Sequence, residues 1–311
     1  MSVRLKIVRS TVRSRPQPHE IEFNITQMSN VFCCVAIGDL GAVGRTSLRS
    51  ILDIPKSHVV VFVDVAGEKW IREFSTSEHY DLSRINFLRI SLEDQDLLNK
   101  LDCSIEYRSF GNPKFFRLMY FKWIVIKEAM KLFETSPTVI FTDLDVYWAR
   151  NPVNSLVLFR KSEALFTVQQ DVKNKKGDIF LCPGIMAWKT NSKAAEVLEA
   201  IRKSHEVMLR TNPIMPDDKA LNIWASNPIN SKLFSTLDRR KYVIGHRLTY
   251  LLLGIGGYGL NKMVAYHANY AVGILDKTRL LRFAETSSWN LVQRFTRAAI
   301  LLGGKVRGKL R

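Results

Sequence analysis

Apolar runs with the length and composition of buried strands recur along the chain, separated by stretches with helical spacing. Residues 31–37 (VFCCVAI), 58–63 (HVVVFV), 85–90 (INFLRI) and 138–142 (TVIFT) are four such runs. They are rich in β-branched and aromatic residues and lack polar alternation, as strands covered on both faces do. A glycine-rich turn over 38–44 leads into a helix through Leu52, and a second helix links the strands at 58 and 85. A long helix over 115–133 follows the start signal of Gly111, Asn112 and Pro113. Beyond it, 164–168 and 179–188 read as strands around a solvated turn at 173–177, and 192–210 as an amphipathic helix. A shorter helix follows Pro216, and 242–244 and 264–267 are short strands. Strands alternating with helices predict an α/β fold, a mostly parallel, Rossmann-like sheet with helices on both faces. This domain spans residues 30–285, between a polar, basic arm over 1–29 and a distinct tail over 286–311.

Ligands of open sheets collect at the carboxyl ends of the strands. The run at 138–142 ends there in Asp143, Leu144 and Asp145. Residues i and i+2 of an extended segment project to one side, so both carboxylates aim at one point while Leu144 turns back into the core. Carboxylates that close repel unless a proton or a cation lies between them. A hard divalent ion holding a diphosphate is a natural occupant. The plainer alternative is an Asp-rich turn. Asp39 and Asp64 stand at the ends of two other predicted strands.

Composition adds a partner class. With 46 Lys and Arg against 29 Asp and Glu, the net charge of +17 implies a polyanionic or anionic-surface partner: nucleic acid, acidic lipid or a phosphorylated substrate. Hydrophobic content of 46% is that of a globular protein, and no apolar run reaches membrane-span length. Basic residues interrupt the N-terminal apolar positions, so a secretory core segment is not seen; the absence of acids before Glu20 leaves an organellar transit peptide open. The four cysteines lack metal-site spacing and read as reduced core residues of a cytoplasmic protein. In the tail, Leu291, Val292, Phe295, Ala299 and Leu302 share a helical face, and the cations around them have no acidic counterpart. Such a helix over 289–311 can lie peripherally on an anionic membrane. It can equally dock on its own domain.

From residue 31 to 282 the sequence resembles the GT-A-type nucleotide-diphospho-sugar transferases, and more narrowly the plant cell-wall xylosyl- and arabinosyltransferases. The resemblance is most specific at Phe121, Lys122 and Trp123, then at VIFTDLDVYW over 139–148 with Asn151 and Pro152 closing it. It implies a metal-dependent glycosyltransferase that moves a hexosyl or pentosyl unit from a nucleoside-diphosphate sugar to a hydroxyl of a glycan, lipid or protein. It implies Mn²⁺ or Mg²⁺ on Asp143 and Asp145, completed by His267, with Gly273 and Lys277 against the pyrophosphate. A neutral imidazole suits Mn²⁺, a glycine lets backbone approach phosphate, and lysine supplies a point charge. Asp39 matches a position that contacts the base, and Lys122 a basic residue near the ribose or phosphates. Asp217, Asp218 and Asn222 align with an Asp-Gln-x-x-x-Asn element beside the donor sugar, Asp218 standing where Gln is usual. Cys182, before Pro183 and Gly184, stands where the family often has an Asn that touches the sugar.

The mechanism so implied is displacement with retention. Cation and Lys277 stabilise the departing diphosphate, Asp217 orients sugar hydroxyls, and Asp218 is the candidate if a carboxylate attacks first. Two other classes compete. An apolar strand plus Asp-x-Asp also opens the haloacid-dehalogenase phosphohydrolases, although Val146, Tyr147 and Trp148 depart from their continuation. A non-enzymatic nucleic-acid-binding protein would use the positive charge, but the cations are spread out without a binding motif.

Overall fold

The computed structural model describes residues 30–91, 113–173, 179–269 and 274–285. Its first half runs β1 (Asn30–Ala36), α1 (Gly41–Leu52), β2 (Ser57–Val63), α2 (Val65–Ser77), β3 (Ile85–Arg89), α3 (Pro113–Leu132), β4 (Thr138–Thr142) and β5 (Val146–Trp148). Then come α4 (Val157–Lys161), β6 (Phe166–Lys173), β7 (Ile179–Lys189), α5 (Ser192–Thr211) and α6 (Asp217–Ala225). The described chain closes with β8 (Phe234–Thr236), β9 (Tyr242–Ile244), α7 (Leu248–Leu253), β10 (Ala265–His267) and α8 (Ile274–Glu285).

Seven strands form one sheet in the order β3-β2-β1-β4-β7-β6-β8. Four of its six neighbouring pairs are parallel, so the mostly parallel expectation holds. Both antiparallel pairs involve β7, which returns between β4 and β6. Successive residues of β1 serve opposite faces. Val31 and Cys33 enter a core with Phe121, Trp123 and Ile126 of α3 and Leu198 and Ile201 of α5. Phe32, Cys34 and Ala36 enter another with Leu48 and Ile51 of α1 and Trp70 and Ile71 of α2. That two-sided burial is why the strand sequences carry no polar alternation. The helices therefore cover both faces, as expected. Among the described residues no helix is long and apolar enough to cross a membrane.

A second sheet, β5-β10-β9, stands beside the first. Its strands have three residues each, and β5 and β8 are too short to show a period in sequence. Its register pairs Val146 with His267, which sets the residue after Asp145 directly opposite that histidine. A third core, including Val243, Leu251, Tyr266, Leu281 and Ala284, packs α7 and α8 against this sheet and brings α8 alongside Asp145. Asp64 is accounted for locally: its carboxylate caps α2, accepting from the backbone N–H of Gly67 at 2.7 Å and of Gly38 at 2.9 Å.

Candidate active site

The strand β4 stops at Thr142, and Asp143 to Asp145 form the turn into β5. Leu144 is buried in the core, and burying a leucine stabilises by about 1.5–3 kcal/mol, which anchors the turn between its two carboxylates. Trp148 closes the turn from the far side, its indole N–H donating to the Thr142 hydroxyl at 3.1 Å. The Asp143 N–H donates to the Gly184 carbonyl at 2.8 Å, and the Ala268 N–H to the Asp145 carbonyl at 2.9 Å. Two neighbouring strands thus fix the backbone of the pair.

His267 completes a cluster in which one ligand atom each of Asp143, Asp145 and the imidazole lies within 4.8 Å of the others. Its Nε2 lies 3.2 Å from Asp145 Oδ1 and 3.8 Å from Asp143 Oδ2. The Nδ1 side faces the Gln169 Oε1 at 2.8 Å. Asp145 Oδ1 is buried without a hydrogen-bond partner. Two carboxylate oxygens and an imidazole nitrogen, with that oxygen unsatisfied, suit a divalent cation such as Mn²⁺ or Mg²⁺.

The electrostatics follow from burial against charge. Burial pushes Asp143 above the usual carboxylate range, with Lys122 opposing and Asp145 adding to the rise. Burial would raise Asp145 too, but Lys277 and His267 beside it hold it well below the usual carboxylate range. Burial disfavours the imidazolium of His267, yet the charge of Asp145 outweighs it and leaves the group well above its ordinary value. The cluster calls for positive charge, whether proton or metal.

Lys122, expected near the ribose or phosphates, is 2% exposed and enclosed by carboxylates. Its ammonium pairs with Asp217 and lies 3.8 Å from Asp143 Oδ1, donates to the Pro183 carbonyl at 3.4 Å and sits over the Phe141 ring. Burial alone would lower it; Asp143 and Asp217 raise it instead, so it stays charged. Lys277, on α8, bonds Asp145 Oδ2 at 2.6 Å. Asp218 begins α6 beside Asp217, and burial followed by the Asp217 charge pushes it up to about 6. Asp39 is exposed, with its carboxylate accepting from the Gly41 N–H at 2.7 Å. Gly273, the arm over 1–29 and the tail over 286–311 lie outside the described residues.

Three contributors have structural roles that the sequence did not assign to them. One is β7 itself. Consecutive residues Val168 and Gln169 of β6 pair with Met186 and Cys182, so Pro183, Gly184 and Ile185 bulge between them. The bulge supplies the carbonyls that receive Lys122 and Asp143, and a Cβ at Gly184 would lie 2.1 Å from Cε1 of His267. The second is Asn222. Its side chain exchanges both amide hydrogen bonds with Leu181, at 2.9 and 2.8 Å, as a strand neighbour would, and ties α6 to β7. The third is His205, fully buried between the Trp123 indole N–H at 2.9 Å and the Met215 carbonyl at 3.2 Å. It joins α3 to the approach to Asp217. Cys182 lies between these groups, its sulfur 3.8 Å from His267 Nδ1 and 3.7 Å from Asn269 Nδ2.

Comparison with known proteins gives this geometry a context. A family model described as nucleotide-diphospho-sugar transferase matches residues 57–302. Among solved structures, mouse xyloside xylosyltransferase 1 in its apo form superposes with a TM-score of 0.52 at 13% identity, over 79% of this chain and 99% of that one. The galactosyltransferase LgtC, in complex with donor and acceptor sugar analogues, gives 0.51 at 12% identity, over 84% and 97%. At such identities the likeness is one of fold, and that fold is GT-A. No curated protein matches the sequence. The family match favours a transferase over the phosphohydrolase and nucleic-acid readings.

Proposed function

Because the chain belongs to the nucleotide-diphospho-sugar transferase family, we propose that it moves a hexosyl or pentosyl unit from a nucleoside-diphosphate sugar to a hydroxyl of a glycan, lipid or protein, retaining anomeric configuration. The observation that carries this is the convergence of Asp143, Asp145 and His267 at the end of β4, with Asp145 Oδ1 left unsatisfied. These three residues would hold Mn²⁺ or Mg²⁺. Bound there, the ion would neutralise charge on the departing nucleoside diphosphate.

The other residues have separable tasks. Lys277, already against Asp145, adds a second positive charge on the leaving-group side. Asp217, fixed by the Lys122 ammonium, is presented to the sugar hydroxyls. Lys122 therefore contributes through its two carboxylates. Asp39 is assigned to the base and Gly273 to the pyrophosphate. Asp218 is the candidate nucleophile if a glycosyl-enzyme forms; at neutral pH a carboxyl titrating at about 6 is mostly ionised and able to attack. The net charge of +17 suits an acidic acceptor or an anionic membrane met through the basic residues of 289–311, in a cytoplasmic setting.

The test is direct. Asp143→Ala and Asp145→Ala should abolish metal-dependent turnover of sugar nucleotide while circular dichroism stays native. Full activity in either variant would show the assignment wrong. A panel of nucleoside-diphosphate sugars, read by thermal shift with and without Mn²⁺, identifies the donor, since a ligand at 100 times its Kd stabilises by about 2.7 kcal/mol.

A further inference from the structure

We propose that Gln169 is a positioning residue for the cation site, holding His267 in the tautomer that turns the Nε2 lone pair toward Asp143 and Asp145. The proposal rests on the reading that these three residues hold the cation. Gln169 is fully buried in β6, and both ends of its amide are engaged. Its Nε2 donates to the backbone carbonyl of Tyr242 at 3.3 Å, and its Oε1 faces His267 Nδ1 at 2.8 Å.

The order of inference starts at the backbone. A carbonyl oxygen only accepts, so Tyr242 must receive the amino end of the amide. The oxygen end then faces the imidazole, and an oxygen there requires a donor, so Nδ1 carries a hydrogen. In a neutral ring the other nitrogen is left with its lone pair. That nitrogen is Nε2, which lies 3.2 Å from Asp145 Oδ1 and 3.8 Å from Asp143 Oδ2. Once the proton that Asp145 favours on Nε2 is given up, as a metal ligand requires, only acceptors face one another across that short gap, which a cation can bridge. The nearby Cys182 sulfur, 3.8 Å from Nδ1, does not compete with this order, because sulfur can accept from the same N–H. Ring rotation is opposed by Gly184, whose backbone lies so close that an added Cβ would come within 2.1 to 2.8 Å of three ring atoms.

The placement of Gln169 has its own cause. Val168 pairs with Met186 but Gln169 with Cys182, so the register shift that raises the β7 bulge also re-aims β6 at this residue. A second partner that fixes the non-ligating nitrogen of a metal-binding histidine is worth about 10–100-fold in metal affinity.

The test is Mn²⁺ binding to the full protein without sugar nucleotide, followed by the paramagnetic resonance signal of the free ion. Gln169→Leu should weaken binding by about 10–100-fold. Gln169→Glu should keep most of the affinity, because in either protonation state a carboxyl oxygen there still accepts from Nδ1. Binding is measured below the melting temperature of every variant. Unchanged affinity in Gln169→Leu overturns the proposal, as does an equal loss in both variants, which marks a merely structural role. If Asp143→Ala binds Mn²⁺ as tightly as the unaltered protein, the cation-site reading fails. If Asp143→Ala loses binding and Gln169→Leu keeps it, only the role of Gln169 fails.

Discussion

Gly184→Ala concentrates the site's geometry into one methyl group. The added Cβ would stand 2.1 Å from Cε1 of His267, 2.7 Å from Nδ1 and 2.8 Å from Nε2, against an ordinary contact of at least 3.4 Å. Ring and strand must therefore separate by about 1.3 Å. Neither yields freely. The ring is 3% exposed and bonded to Gln169, while the Gly184 carbonyl receives the Asp143 N–H at 2.8 Å. Overpacking of this kind costs about 1–3 kcal/mol. At about 2–4 °C per kcal/mol for a chain of this order of size, the melting temperature should fall by about 2–12 °C. Retreat of the ring also withdraws Nε2 from the carboxylates, so Mn²⁺ affinity should fall about 10–100-fold, the loss typical of a disturbed ligand. Calorimetry and a metal titration read the two effects separately. Gly44→Ala is the control: its Cβ would meet Leu40 at 2.6 Å and Trp70 at 2.7 Å, so it should destabilise while leaving metal affinity intact. Native Mn²⁺ affinity in Gly184→Ala, or equal affinity losses in both variants, would refute the reasoning.

Other outcomes follow from neighbouring contacts. Asn222→Ala removes the side chain that binds Leu181 both ways, leaving that peptide group unpaired; a loss of about 1–3 kcal/mol is expected in denaturant titration, with turnover reduced because α6 carries Asp217. Asp218 titrates at about 6, above its unfolded value, so its neutral form favours folding; that stability is full below about pH 4 and is lost as pH rises through 6. Asp218→Asn should therefore gain melting temperature over the unaltered protein at pH 7 relative to pH 4, and a constant difference across that range would contradict the burial argument. Trp123→Phe keeps a ring but leaves buried His205 Nδ1 without its donor, for an expected cost of about 1–3 kcal/mol, again read in denaturant. Deleting 289–311 should weaken co-sedimentation with anionic vesicles, and unchanged binding would remove that stretch from any membrane role.

The parts legible in the sequence were those written by local pattern. The four strands of the parallel half announced themselves because both faces are buried, and β4 was readable as a site because a polar pair interrupts its apolar run. His267 has no such signal: an isolated histidine in a three-residue strand looks like any core residue, and only resemblance singled it out. The β7 bulge was invisible because it is a mismatch between two strands, which neither strand's composition records. Lys122 shows a similar limit. Its sequence neighbours place it on a helix, but two carboxylates from distant segments decide that it is buried and charged. Asn222 aligned with a sugar-side element, whereas its bonding is that of a peptide group completing a strand edge.

The β7 bulge also separates two kinds of change that the protein can undergo. What it gives the cation ligands is main chain: two carbonyls and a surface without a side chain at Gly184. At its edge stands the side chain of Cys182, whose sulfur lies 3.8 Å from His267 Nδ1 and 3.7 Å from Asn269 Nδ2. Substitution at 182 changes a side-chain contact of His267 and leaves in place the main-chain carbonyls that receive Asp143 and Lys122, whereas any residue but glycine at 184 drives a Cβ into the His267 ring. Position 182, at the edge of the bulge, can thus accept a change that position 184, two residues on, cannot.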